Sequence, residues 1–219
     1  MKHLPPVTAG IALISLFVFA YQSSLTGDQR ILFILQWGAV PYEITVRDLP
    51  PTVPFPIAGT LLTALLLHSG LGHLAVNMTY LGLFGPPVER ALGRWRFLAL
   101  FLLCGIGAGV AQVAAFPVSM FPTIGASGAL AGVMAAYVVL FPRVSPRTIV
   151  FGVWCVLQVM LALDTLNTVQ QWTGGVAAWA HLAGIGLGVF LALLARRWAA
   201  FVGSERMPEV SGRAARRAV

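Results

Sequence analysis

Charge is what this sequence has least of. Asp, Glu, Lys and Arg make up only 10% of its 219 residues, where a soluble domain carries roughly 25%. Acidic residues are scarcest, at seven. An intramembrane aspartyl protease needs two carboxylates at membrane depth, and Asp164 is the one acid near an apolar segment, so that chemistry is excluded. No His-Glu-x-x-His occurs, which removes the usual zinc protease site. The two cysteines, Cys104 and Cys155, both fall inside apolar runs, so neither a disulfide framework nor a Cys-based metal site is indicated. Nothing in the pattern implies a cofactor. The paired broken helices of many transporters are not apparent either.

What remains is apolar. Hydrophobic residues are 58% of the chain and the mean hydropathy is +0.85. A bilayer core of about 30 Å takes around 20 such residues per helix, so the chain has room for six spans with short loops. This predicts an all-α, polytopic membrane protein with one compact domain over 1–200 and a basic, disordered tail over 201–219. Apolar runs cover 7–21, 72–84 (preceded by apolar 61–67), 97–116, 127–141, 148–163 and 179–198. A long polar, proline-rich stretch, 22–56, separates the first two. Lys2 ahead of 7–21 has the outline of a signal peptide, but no small-x-small site follows, so the run is read as a retained helix.

The charges test this layout. With the N-terminus inside, Lys2, Arg90, Arg94, Arg96, Arg143, Arg147, Arg196, Arg197, Arg206, Arg213, Arg216 and Arg217 all fall on the cytoplasmic side, leaving Arg30 and Arg47 outside. That is the positive-inside bias, and it requires six spans with both termini cytoplasmic. The net charge of +7 is therefore explained by loops and tail lying against lipid headgroups, without a nucleic-acid partner.

Polar side chains at membrane depth are costly and mark function or helix packing. His68, His73 and His181 lie at or near apolar segments, and Asn77 follows His73 by four residues, on the same helical face. Ser127 opens the short fourth run within Gly125-Ala126-Ser127-Gly128. Alone, a membrane serine usually bonds its own helix, an asparagine is often interhelical glue, and a histidine can simply be packed. Together they suffice for acyl transfer: a hydroxyl nucleophile, an imidazole base, and donors for an oxyanion from the Ser127 N–H, Asn77 and His73. In a dry site one such donor is worth about 2.7–4 kcal/mol. Gly184 and Gly188 put a small face below His181, which lets helices approach closely.

The segments His68-Ser-Gly-Leu-Gly-His73-Leu-Ala-Val-Asn77, Gly85-Pro-Pro-Val-Glu89-Arg-Ala-Leu-Gly93, Gly125-Ala-Ser127-Gly128 and Ala180-His181-Leu-Ala-Gly184, in this order over 37–194, resemble the rhomboid family of intramembrane serine proteases. The resemblance implies cleavage of transmembrane protein substrates in the bilayer by a Ser127–His181 dyad without an acidic third member. It implies oxyanion binding by His73 and Asn77, and structural support from His68, Gly125, Gly128, Gly184, Gly188 and Glu89. It gives no oligomeric state. The absence of a transit-like N-terminus favours a prokaryotic-type plasma membrane.

Two departures stand out. The aromatic that family members often carry four residues after the serine, packed on the histidine, is Ala131 here. The Trp-Arg pair usual in the first loop has no equivalent in 49–67. An alternative is a rhomboid-fold protein that binds membrane clients without cutting them. The segment 163–178, with Gln170, Gln171, Gly174 and Gly175, is expected to form a mobile cap over the site.

Overall fold

The computed structural model describes residues 3–46, 55–167 and 176–205, apart from the side chains of 166, 167 and 199–205. Among these residues the only regular structure is helical: α1 (Pro6–Ser24), α2 (Gly27–Trp37), α3 (Pro41–Thr45), α4 (Thr60–Thr63, extended at both ends by 3-10 turns), α5 (Leu71–Leu92), α6 (Arg94–Ala115), α7 (Ser127–Leu140), α8 (Pro146–Asn167) and α9 (Ala178–Glu205). Four of the described helices are long and apolar enough to cross a membrane: Pro6–Ser24, Arg94–Ala115, Pro146–Thr165 and Ala178–Trp198. A fifth candidate joins Ile57–Leu66 to Leu71–Leu92 through an 81° bend. At 14 residues, α7 is about 21 Å long, short of a full bilayer core.

Two expectations change. The stretch 22–56 is not merely polar, for α2 lies within it. Thr26 and Gln29 form a capping box at its start, while Asp28, Gln29 and Arg30 hide its apolar residues from a hydropathy reading. The second apolar run does not end at 84. It continues through Pro86 and Pro87 to Leu92, although an interior proline removes a helix N–H. The bond lost at Pro87 would have gone to the Leu83 carbonyl four residues back. Arg147 Nε, from the start of α8, donates to that oxygen instead, at 2.9 Å.

The short helix is the centre of the bundle. Every residue from Gly128 to Tyr137 is buried, with α9, α6 and α5 packed around α7. Against α9 the fit is backbone to backbone. A Cβ on Gly184 would run into the Gly128 carbonyl, and one on Gly188 into Gly132. Small-residue faces therefore meet from both sides; Gly132, which the motif did not mark, completes the α7 face. The core beneath is aliphatic and aromatic, with Phe84, Phe97, Leu130 and Met134 almost fully enclosed.

One end of the bundle is basic and clamped. The buried Glu89 carboxylate accepts the Val7 N–H (2.9 Å), the Thr8 N–H (2.7 Å) and the Thr8 hydroxyl (2.7 Å). It thus caps the free donors at the start of α1. Arg90 donates to the His3 carbonyl, and Arg196 to the Val139 carbonyl near the end of α7. The opposite end receives the N-termini of α5, α7 and α9, and each of those begins with a candidate site residue.

Candidate active site

The approach to Ser127 is pinned before the helix starts. Ala39 and Thr123 exchange backbone hydrogen bonds at 3.1 and 2.8 Å, and the Gly125 N–H donates to the Ala64 carbonyl at 2.8 Å. Gly125 has φ +111°, a conformation that side chains rarely adopt. A Cβ there would also press on the His73 ring, 2.6 Å from Cε1. Both facts call for glycine. Ser127 then occupies the first turn of α7, where backbone N–H groups lack helical partners and favour negative charge.

His181 sits in the first turn of α9 and is buried. Its Nε2 lies 2.7 Å from Ser127 Oγ. Its Nδ1 lies 2.6 Å from Gln158 Oε1 on α8. Trp154, one turn earlier on α8, packs on the ring at 5.2 Å between centroids. The aromatic missing at Ala131 is thereby replaced from a different helix. Ala131 is fully buried and lies beside Gly184 of α9. Neither Gln158 nor Trp154 was singled out from sequence. Gln158 carries the stronger signal, as an amide in the middle of an apolar run.

On α5 the His73 and Asn77 side chains line the same cavity as Ser127 and His181, a space of about 1100 Å³. The Ser69 backbone N–H points at His73 Nδ1 at 3.5 Å, with the Ser69 hydroxyl at 3.2 Å. A backbone N–H can only donate, so the tautomer protonated on Nε2, beside Gly125, is the one that fits this long contact. Asn77 Nδ2 donates one hydrogen to the His73 carbonyl at 2.8 Å. Its second hydrogen has no such assignment, and its Oδ1 is buried without a partner. Gln112 Oε1 accepts the Ala180 N–H at 3.3 Å, tying the end of α6 to the start of α9.

His68 stands apart from the Ser127–His181 pair. It is enclosed, edge-on to His73 at 5.2 Å. Its backbone is gripped by Gln22 of α1, whose amide donates to the His68 carbonyl at 2.6 Å. Gln22 was read as the first residue of a polar loop; it is instead a buried side chain on a helix. Gly128, Gly184 and Gly188 lie in the α7–α9 seam, and Glu89 belongs to the clamp at the far end. Among the described residues no cluster of three His, Cys, Asp or Glu could hold a metal. Half of the expected cap, 168–175, lies outside the described residues, and 163–167 form the last part of α8.

Residues 58–198 match the Rhomboid domain. The chain belongs to the rhomboid family. Relatives that carry the name rhomboid protease include GluP and AarA. GluP of Bacillus subtilis is 44% identical over 85 residues, 38% of this chain and 16% of that protein. AarA of Providencia stuartii is 27% identical over 212 residues, 85% of this chain and 71% of that protein. A Drosophila melanogaster protein named inactive rhomboid protein 1 is 27% identical over 112 residues, 48% of this chain and 8% of that protein.

Proposed function

We propose that this protein is an intramembrane serine endopeptidase that cuts transmembrane protein substrates, with Ser127 as nucleophile and His181 as base. One observation carries the reading: a serine hydroxyl on a helix N-terminus, 2.7 Å from an imidazole nitrogen, inside a cavity of a rhomboid-family chain.

Attack proceeds as Ser127 Oγ bonds to the scissile carbonyl carbon and its proton passes to His181 Nε2. The carbonyl electron pair moves onto oxygen, which is met by the Ser127 N–H, the second Asn77 amide hydrogen and the His73 Nε2–H. Collapse breaks the C–N bond, and His181 returns its proton to the leaving amine. Water then attacks the acyl-enzyme with His181 again as base, releasing the acid and restoring the serine. No cofactor enters these steps. His68, Gly125, Gly128, Gly184, Gly188 and Glu89 act by holding the fold.

In this reading α1, α5, α6, α7, α8 and α9 make six crossings, α7 being a short one, and both termini face the cytoplasm. The arginines at the clamped end support that orientation. The membrane domain spans 1–200, with the basic tail beyond it, and the long match to a bacterial relative supports a prokaryotic plasma membrane.

The test is cleavage of a single-pass membrane substrate by purified protein, comparing wild type with Ser127→Ala. Cleavage by the wild type alone is expected, with the variant at least about 10³-fold slower. Equal cleavage by both overturns the site. Failure of the folded wild type on a panel of such substrates favours a client-binding rhomboid instead.

A further inference from the structure

Gln158 is an unusual residue for its place. On α8 only Gln158 and Ala162 are buried among the described side chains, the remainder being partly or fully exposed. A buried amide in an apolar span is costly unless it is bonded, and glue between helices is the ordinary use of such a group. This one bonds the single atom that decides how His181 is protonated. Gln158 Oε1 can only accept, so a contact of 2.6 Å to Nδ1 requires the ring proton on Nδ1. Nε2 is then left with its lone pair towards Ser127 Oγ. The reverse tautomer would present an N–H to the hydroxyl and could take no proton from it.

We infer that Gln158 is a positioning residue that makes the pair a Ser127–His181–Gln158 relay, fixing the tautomer and direction of the base from α8. The inference rests on the serine protease reading above. A neutral amide suits this place because it accepts one hydrogen bond without carrying a charge into the bilayer, and other hydrolases seat an amide behind the catalytic histidine in the same manner. Gln158 bonds His181 Nδ1, on the side of the ring away from Ser127 Oγ, so its effect falls on the chemical step.

The experiment uses the full chain in lipid bilayers and two readouts. One is the rate at which a small fluorophosphonate labels Ser127, which does not require a substrate helix to enter. The other is kcat and KM on a single-pass substrate. Gln158→Leu is expected to lower the labelling rate and kcat by about 10- to 100-fold with KM unchanged, and to lower the unfolding temperature, because it leaves the His181 Nδ1–H buried without an acceptor. Gln158→Glu still presents an oxygen acceptor, as carboxylate or as neutral acid, and is expected to recover most of the rate. Should Gln158→Leu not fold, Gln158→Met takes its place as a second unbranched, apolar variant. An apolar variant that labels at the wild-type rate overturns the relay, as does a folded Gln158→Glu that is as slow as the apolar one. A wild type that is not labelled, or labelling that survives Ser127→Ala, sinks the protease reading and the relay with it.

Discussion

The two neighbours of His181 are built in opposite ways. Between α7 and α9 the contact is glycine backbone on glycine backbone, Gly128 with Gly184 and Gly132 with Gly188. Between α8 and the rest it is a few long side chains: Gln158 and Trp154 on His181, Thr165 accepting the Trp179 indole N–H at 3.1 Å, and Arg147 on Leu83. Of the apolar window of α8, 11% is buried, against 39% for α6 and 33% for α9. The seam fixes Ser127 and His181 relative to each other, because backbone in contact has nowhere to yield. Helix α8 holds the histidine only by side-chain tips, which can let go and return.

Breaking the seam gives the largest effect. Gly188→Leu places a side chain where the Gly132 backbone already lies. Rotamer changes cannot relieve a clash that begins at Cβ, so the cost exceeds the roughly 1–3 kcal/mol of an ordinary overpacked core. The expected outcome is loss of folded, monodisperse protein together with loss of fluorophosphonate labelling, read by size-exclusion chromatography and thermal unfolding. A folded, active Gly188→Leu protein would mean that the seam is not rigid.

The same contrast explains what was legible beforehand. The long apolar runs announced α1, α6, α8 and α9, because length and hydropathy alone define a span. The nearness of Ser127 and His181 is what the resemblance to the rhomboid family implied, and the small Gly184-x-x-x-Gly188 face is compatible with it. Gly132 could have been found by the same spacing, four residues after Gly128. Gln158 offered only an amide in an apolar run, and Trp154 nothing. Neither belongs to a motif, and the separation of 23 positions from Gln158 to His181 acquires meaning only from the angle at which α8 meets α9. Continuation of α5 through Pro86-Pro87 was hidden for a related reason: the donor that makes it tolerable, Arg147, comes from another helix.

Loosening α8 at the base gives an intermediate effect. Trp154→Ala removes the ring packed against His181 and leaves both of its hydrogen bonds in place. A ring pair of this kind contributes about 0.5–1.5 kcal/mol, so kcat should fall by up to about tenfold while the protein stays folded. Phe at the same position should recover most of that loss. If Trp154→Ala instead matches Gln158→Leu in severity, the face of the histidine matters as much as its Nδ1 bond, and α8 is a firmer partner than its burial suggests.

The smallest effect lies at the other end of α8. Arg147 reaches the Leu83 carbonyl freed by Pro87 and also lies over the Tyr137 ring at 5.9 Å, so it ties α8 to α5 and α7 far from the chemistry. Arg147→Met keeps the length of the chain and removes the donor. Arg147 is exposed, and the lost bond costs about 0.5 kcal/mol, a small fall in unfolding temperature. Labelling of Ser127 by a small probe should be unchanged, because neither His181 contact is touched. Cleavage of a membrane substrate is the sharper readout: if α8 swings about this anchor to admit a helix, removing it changes KM and leaves kcat alone. A change in kcat without one in KM would show that the clamped end of α8 controls the base, and the division between a rigid seam and a yielding helix would have to be redrawn.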